Sequence, residues 1–412
     1  MFRLSTWRAT RNPKIRSPPP LKPEPGQKPS LLQDLNLYLI FGITLSAVMG
    51  VASIAPALPK MARVLEVSNE QIGLLITAFT LPGIVLTPVL GVLADRWGRK
   101  PILVPSLLLF GMAGTACAFA ADFTTLLALR FLQGVGGATL GALNVTLIGD
   151  LYEGNRRATA MGYNGSVLSL GTASYPAIGG GLALLGWYFP FFLPLLAIPV
   201  GLVVLRYLDN PEPSNGERMG DYLSEVWRSL QSTKVLGLFS ANFLTFIMLY
   251  GGYLTFLPIL LDERFGLSSL AIGLFLSGSS VVTAVTSSQL GRLTRRFAED
   301  RLILAAAVIY LGVFLSIPFM EEAWMLTLPI MFFGLAQGIN IPSILNLLTH
   351  QAPTRYRAAF LSVNWMVLRG GQALGPFLLG LIYGLFSLEG TFYASAGAAL
   401  LFVFVAMLLI RE

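Results

Sequence analysis

Charge is what this sequence has least of. Of its 412 residues, 12% are Asp, Glu, Lys or Arg, while 54% are hydrophobic. Soluble domains carry about 25% charged residues, so so few charges cannot cover a water-facing surface of this size. Cysteine occurs once, at Cys117 inside an apolar run, which excludes a disulfide framework and a thiolate metal cluster. Histidine also occurs once, at His350, which excludes a histidine-rich metal centre. No Gly-Lys-Ser/Thr phosphate loop is present, which argues against ATP-driven work. No cluster of His, Asp, Glu, Ser or Lys lies deep in an apolar run, as an intramembrane enzyme would need. Nor is there a soluble domain with a basic face for nucleic acid. No enzyme activity, metal or cofactor is therefore expected.

What is present is apolar length. A membrane-spanning helix needs roughly 20 mostly apolar residues, and twelve such runs follow one another from residue 35 to residue 410. They predict an all-α membrane protein of twelve transmembrane helices in two six-helix bundles. Residues 1–34 form a basic, Pro-rich tail, and 35–208 and 235–412 form the bundles. Residues 209–234 form a polar linker. Within it Tyr222, Leu223, Val226, Trp227 and Leu230 share one helical face, either lying on the lipid surface or packing as a plain linker.

The basic residues give an orientation. Lys60, Arg63 and Arg264 fall in loops on one side, and Arg130 and Arg369 lie inside apolar runs. Every other Lys and Arg falls in tails and loops on the opposite side, so both termini are expected in the cytoplasm.

The chain also repeats itself. "GVLADRWGRK" from Gly91 has a faint copy, "GRLTRRFAED", from Gly291. Arg157 has its match in Arg357, and "GTASYPAIGG" from Gly171 has its match in "GQALGPFLLG" from Gly371. A shared offset of 200 residues marks a parallel duplication of a six-helix unit.

At these motifs the chain resembles the major facilitator superfamily over residues 35–410. "GVLADRWGRK" resembles the superfamily's loop 2–3 signature, and "RFLQGVGGA" from Arg130 its helix 4 signature. Gly162, Gly171, Pro176, Gly179 and Gly180 resemble the helix 5 signature of the drug/proton antiporter branch, with Tyr175 where that branch has Gly. The resemblance implies a secondary transporter that moves a small organic molecule by alternating access, with protons as coupling partner. It further implies a conformational latch of Gly91, Asp95, Arg96, Gly98 and Arg99, with Asp95 meeting the start of helix 11 near Arg357. Gly91 would let helix 2 approach another helix closely, and Gly98 would permit the turn. Arg295 replaces the acid in the second copy, so the latch should be one-sided.

Arg130, Gln133 and Gly134 are assigned by the same resemblance to coupling or helix packing. Gly171, Tyr175, Pro176, Gly179 and Gly180, with Gly375 and Pro376 on helix 11, are expected to pack helices closely and bend them. On the helices that line the cavity in this superfamily, Asn144, Asn242, Phe246, Tyr250, Tyr253, Gln337 and Asn340 are cavity candidates; most could equally bond helix to helix. Arg369 either faces the cavity, favouring an anionic or acceptor-rich ligand, or bonds backbone carbonyls near Gly370 and Gly371. Asp150 and His350 occupy equivalent helix ends and form a candidate inner gate pair. All 21 acidic residues lie in tails, loops or helix ends. That departs from the antiporter branch's embedded carboxylate on helix 1, and it leaves a carrier of organic anions or lipid-like amphiphiles as the alternative. A monomer embedded in the bilayer of the plasma (inner) membrane is expected.

Overall fold

In a bilayer every backbone N–H and C=O has to find its partner within the protein, so apolar runs of this length become helices. The computed structural model describes residues 31–209, 232–351 and 357–410, with only the backbone of 357–359 and 362. Most of the basic tail and the face from Tyr222 to Leu230 lie outside the described residues. The described chain is all-α, with twelve helical segments long and apolar enough to cross a membrane. They are α1 (Leu35–Val64), α2 (Asn69–Trp97), α3 (Arg99–Phe119), α4 (Phe123–Leu151), α5 (Gly154–Leu185) and α6 (Phe189–Tyr207). The second set is α7 (Thr233–Glu263), α8 (Ser269–Leu293), α9 (Glu299–Phe319), α10 (Ala323–Gln351), α11 (Val363–Leu385) and α12 (Leu388–Ile410).

Short polar residues start several of these helices by accepting a free first-turn N–H. Asp34 accepts from Asn36, Asp122 from Thr125, Ser68 from Gln71 and Ser268 from Ala271. The α2–α3 turn is made by Gly98 at φ +89°, a conformation that a side chain would strain. Within the first half, Gly134 of α4 lies on the backbone of Phe79 in α2, and Gly179 of α5 lies on that of Ser53 at the end of α1's first segment. In the second half Gly334 and Gly338 of α10 lie on α8 in the same manner. Bare backbone at these crossings lets helices approach without hydrophobic driving force. Helix α7 is irregular: Met248–Phe256 is a π-helical stretch, where the Thr255 hydroxyl donates to the Tyr250 carbonyl at 2.6 Å.

The two halves meet along two seams. In one, α5 crosses α8, where a Cβ on Gly273 would stand 2.2 Å from the Pro176 carbonyl oxygen, and one on Gly180 2.3 Å from that of Ser269. The Ala177 N–H also donates to Ser277 Oγ at 3.1 Å. In the other, α2 crosses α11: the Thr77 hydroxyl donates to the Ala373 carbonyl at 2.9 Å, and Gly73 lies on Pro376. The seams converge on one end of the molecule, where Arg63 pairs with Asp262 and Asn69 donates to Glu263. We call it the sealed end. Toward the other, basic end, Gly162 and Gly165 of α5 and Gly291 of α8 have nothing within 4 Å of where a Cβ would stand.

Candidate functional site

At the basic end, Arg99 holds two carboxylates of its own half. It pairs with Asp95 at 2.6 Å, one turn back, and donates from Nε to Asp150 at 2.9 Å. Two of the expected contacts are not made in the conformation described. Asp150 is joined to Arg99 rather than to His350, which is exposed at the end of α10. Gly91 packs on no neighbouring helix, with nothing within 4 Å of a would-be Cβ. Both follow from the halves standing apart at this end. Arg96 is exposed, and the side chain of Arg357 lies outside the described residues. Behind Arg99, the Tyr152 hydroxyl donates to Asp34 at 2.9 Å; burial and that bond push the phenol's pKa up.

Arg130 is fully buried within the first half. Its Nε donates to the Leu75 carbonyl at 3.1 Å, its Nη1 to Gln133 Oε1 at 2.6 Å, and its guanidinium lies 4.5 Å from the centre of the Phe79 ring. An arginine so placed clamps α4 to α2 beside the Gly134 crossing. It does not reach the space between the halves.

The α5 and α11 motifs do reach that space. Pro176 faces Gly273 across one seam, and Pro376 faces Gly73 across the other. The two prolines are 200 residues apart, as are the two glycines, so one contact is built twice by the duplication. Gly73 and Gly273 were not among the sequence candidates, although the repeated "IGL" at 72–74 and 272–274 carries the signal. Gly179 instead packs inside its own half, on Ser53, and Gly375 on Ile247 of α7. Tyr175 is buried beside Gly171 and fills volume there.

Of the polar cavity candidates, three are tied up between helices. Asn144 donates to Thr44 at 2.6 Å and accepts from Asn164. Asn242 donates to Asn364 at 2.6 Å, and Asn340 to Thr245 at 2.8 Å. Thr44, Asn164, Thr245 and Asn364 were missed in the sequence; the 200-residue spacing of Asn164 and Asn364 would have found two of them. Gln337 is buried in α10 with its Nε2 lacking a partner. Tyr253 is turned into the second half, stacked on Phe333 with centroids 4.2 Å apart. A regular α-helix would set residues three apart on nearly the same face, at about 100° each. The wider π turn separates Tyr253 from Tyr250.

What remains between the halves near mid-membrane is Arg369, with Phe246, Tyr250 and Trp365. Arg369 is half-buried, donates from Nη1 to Gln372 Oε1 at 3.0 Å and reaches the Gly137 carbonyl of α4 at 3.5 Å. Tyr250 is within its electrostatic reach. Phe246 and Tyr250 form a tilted pair at 6.0 Å. Trp365 lies 3.5 Å from a would-be Cβ on Gly141 of α4. Among the described residues no group of acids, His or Cys is arranged to hold a metal ion.

Comparisons with known proteins agree with this geometry. The family model described as Major Facilitator Superfamily matches residues 40–372 and 265–412. The chain is 28% identical to the class B tetracycline resistance protein of Escherichia coli over 353 residues, 83% of this chain and 86% of the relative. It is 26% identical to the bacillibactin exporter of Bacillus subtilis (strain 168), over 83% of this chain and 88% of the relative. Among solved structures, a bacterial homologue of the human lysosomal transporter Spinster, inward-facing and unoccupied, superposes with a TM-score of 0.75 at 17% identity. That match covers 93% of this chain and 96% of the other.

Proposed function

Because the chain belongs to the major facilitator superfamily, it is a multi-pass membrane transporter rather than an enzyme, and we propose that it exports small organic or amphipathic molecules in exchange for protons. The observation that carries this reading is the one-sided contact between the halves. Polar and backbone contacts close the seams at one end, while at the other Asp95, Arg99 and Asp150 pair within the first half and, among the described residues, are bonded to none of the second. In alternating access the halves rock about a midplane site, and this conformation is one of the two required. We place the basic end in the cytoplasm of the plasma membrane, with both termini there, because Lys and Arg concentrate at it. In the opposite conformation Asp95 leaves Arg99 and meets the start of α11 near Arg357, where a helix N-terminus favours an anion. One chain contains both halves and the cleft, so a monomer in the bilayer suffices.

The acid-free interior of the spans favours a second reading, in which amphiphiles move without protons. Proteoliposomes loaded with a fluorescent amphiphile and given an imposed pH gradient separate the two. Export that follows the gradient supports exchange; export at the same rate with the gradient collapsed removes it; no export in either case sinks the export reading itself.

A further inference from the structure

The molecule uses the same small device twice. Arg130 and Gln133 on α4, and Arg369 and Gln372 on α11, are Arg–Gln pairs three residues apart, each with Nη1 donating to the amide oxygen. Their surroundings differ. Arg130 is fully buried, is covered by the Phe79 ring and stays within one half. Arg369 is half-buried and stands at the seam, between Gly83 of α2 and the Gly137 carbonyl of α4.

A guanidinium has five N–H donors. Those of Arg369 meet one acceptor at 3.0 Å and one at the 3.5 Å limit. Its Nε has no partner, lying against Gly83. No carboxylate among the described residues is bonded to it. A cation at mid-membrane depth is costly unless it is paired or faces a wet cavity. A guanidinium can take a carboxylate by two parallel bonds, and here Nη2 is held only by the long Gly137 contact while Nε is left without a partner. Aromatic rings lie near the cation: Tyr250 of α7, paired with the buried Phe246, and Trp365 one turn earlier on α11, against Gly141 of α4.

We infer that Arg369 is the head-group site of the transport cleft, and that it takes the carboxylate of an organic anion whose flat apolar body lies on Phe246, Tyr250 and Trp365. The inference rests on the export reading, since it places the cargo between halves that rock. It also gives Arg369 a state-dependent role. Gly83 covers Nε in this conformation, and rocking of α2 away from α11 would uncover it, so the two conformations hold the anion with different numbers of bonds.

The test uses three probes with one body: 1-naphthoate, 1-naphthamide and 1-naphthylmethylammonium. Binding to the full-length protein in nanodiscs is read by quenching of tryptophan fluorescence. The expected order is carboxylate, then amide, then ammonium, with the carboxylate about tenfold or more tighter than the amide, as for a charge-assisted bond in a partly dry site. Arg369→Gln should bring the carboxylate-to-amide ratio to about one, and Arg369→Lys, which keeps the charge and loses the fork, to an intermediate value. Equal affinities in the wild type, binding of none of the probes, or a ratio unchanged in Arg369→Gln would overturn the proposal. If Arg369→Gln does not fold, the wild-type order and the Arg369→Lys ratio still decide. Counterflow in proteoliposomes keeps the premise apart: a charge preference in binding without counterflow of any probe is a failure of the export reading, whereas charge-blind counterflow is a failure of this one.

Discussion

Adding one methyl group at Gly273 should tip the molecule out of the conformation described. The new Cβ would stand 2.2 Å from the Pro176 carbonyl oxygen and 2.9 Å from its carbon, where ordinary contact begins at 3.4 Å. The obstacle is backbone on both sides, so no side chain can swing away. Helices α5 and α8 have to part by about 1 Å, and overpacking of this kind costs about 1–3 kcal/mol. Only the conformation with this seam closed bears that cost. The ratio of sealed to open molecules should fall roughly 5- to 150-fold, since each 1.4 kcal/mol is about a factor of ten. Spin labels at Phe119→Cys and Phe319→Cys, both exposed near the sealed end, would report the separation of the halves there. The buried Cys117 offers little background reactivity. Gly273→Ala should move the distance distribution to longer values. Gly179→Ala, which clashes with Ser53 inside the first half, should lower thermal stability without that shift. Gly73→Ala meets Pro376 only at 3.3 Å and should act more weakly than Gly273→Ala. A folded Gly273→Ala protein with wild-type distances would refute the reasoning.

Other expectations follow from particular contacts. Asp95→Asn should slow transport more than any single change at Thr294 or Arg295, as measured by initial rates in proteoliposomes, because only the first copy of the loop carries the acid. Arg130→Ala removes the bond to the Leu75 carbonyl, leaves Gln133 Oε1 without its donor and empties a buried volume, so unfolding should become easier by about 2–4 kcal/mol, read as a lowered Tm. Reversing Arg63 to Asp should cost the sealed end only about 0.5 kcal/mol, because that pair is solvent-exposed on the arginine side, and Asp262→Arg added to it should restore the wild-type distances. The Asp122 carboxyl is held below its ordinary value of 3.8 by the Thr125 hydroxyl and N–H. Its stabilisation is therefore present above that pH and lost as the pH falls through the lowered value, so the Tm difference between wild type and Asp122→Ala should shrink in strong acid.

The twelve helices and the duplication were legible because lipid leaves the backbone no alternative to long apolar helices, and because the 200-residue offset survives in "IGL", in the two prolines and in the loop motif. The candidate site was legible in part. Arg130 and Arg369 both announce themselves as charges in apolar runs, yet only the packing of α4 on α2 decides that one is a clamp and the other stands at the cleft. Asn144, Asn242 and Asn340 look the same in sequence whether they bind cargo or bond a neighbouring helix, since both tasks need a small amide among apolar residues. Tyr253 lies three residues from Tyr250 in sequence, and nothing in the sequence marks the π turn that parts them. Gly91 and the Asp150–His350 pair depend on which end of the molecule is closed, and a sequence encodes both conformations at once.

The π-helical stretch of α7 also makes that helix open to change in length. Its wider turns hold about one residue more than an α-helix of the same rise. A deletion within Met248–Phe256 could be absorbed by tightening those turns, leaving Asn242 and Thr245 on one flank and Pro258 on the other where they stand. The same deletion elsewhere in α7 would rotate everything beyond it by about 100°. Because the slack lies beside Tyr250, the wall of the cleft can be re-faced in a single mutational step while the frame that holds it stays in register.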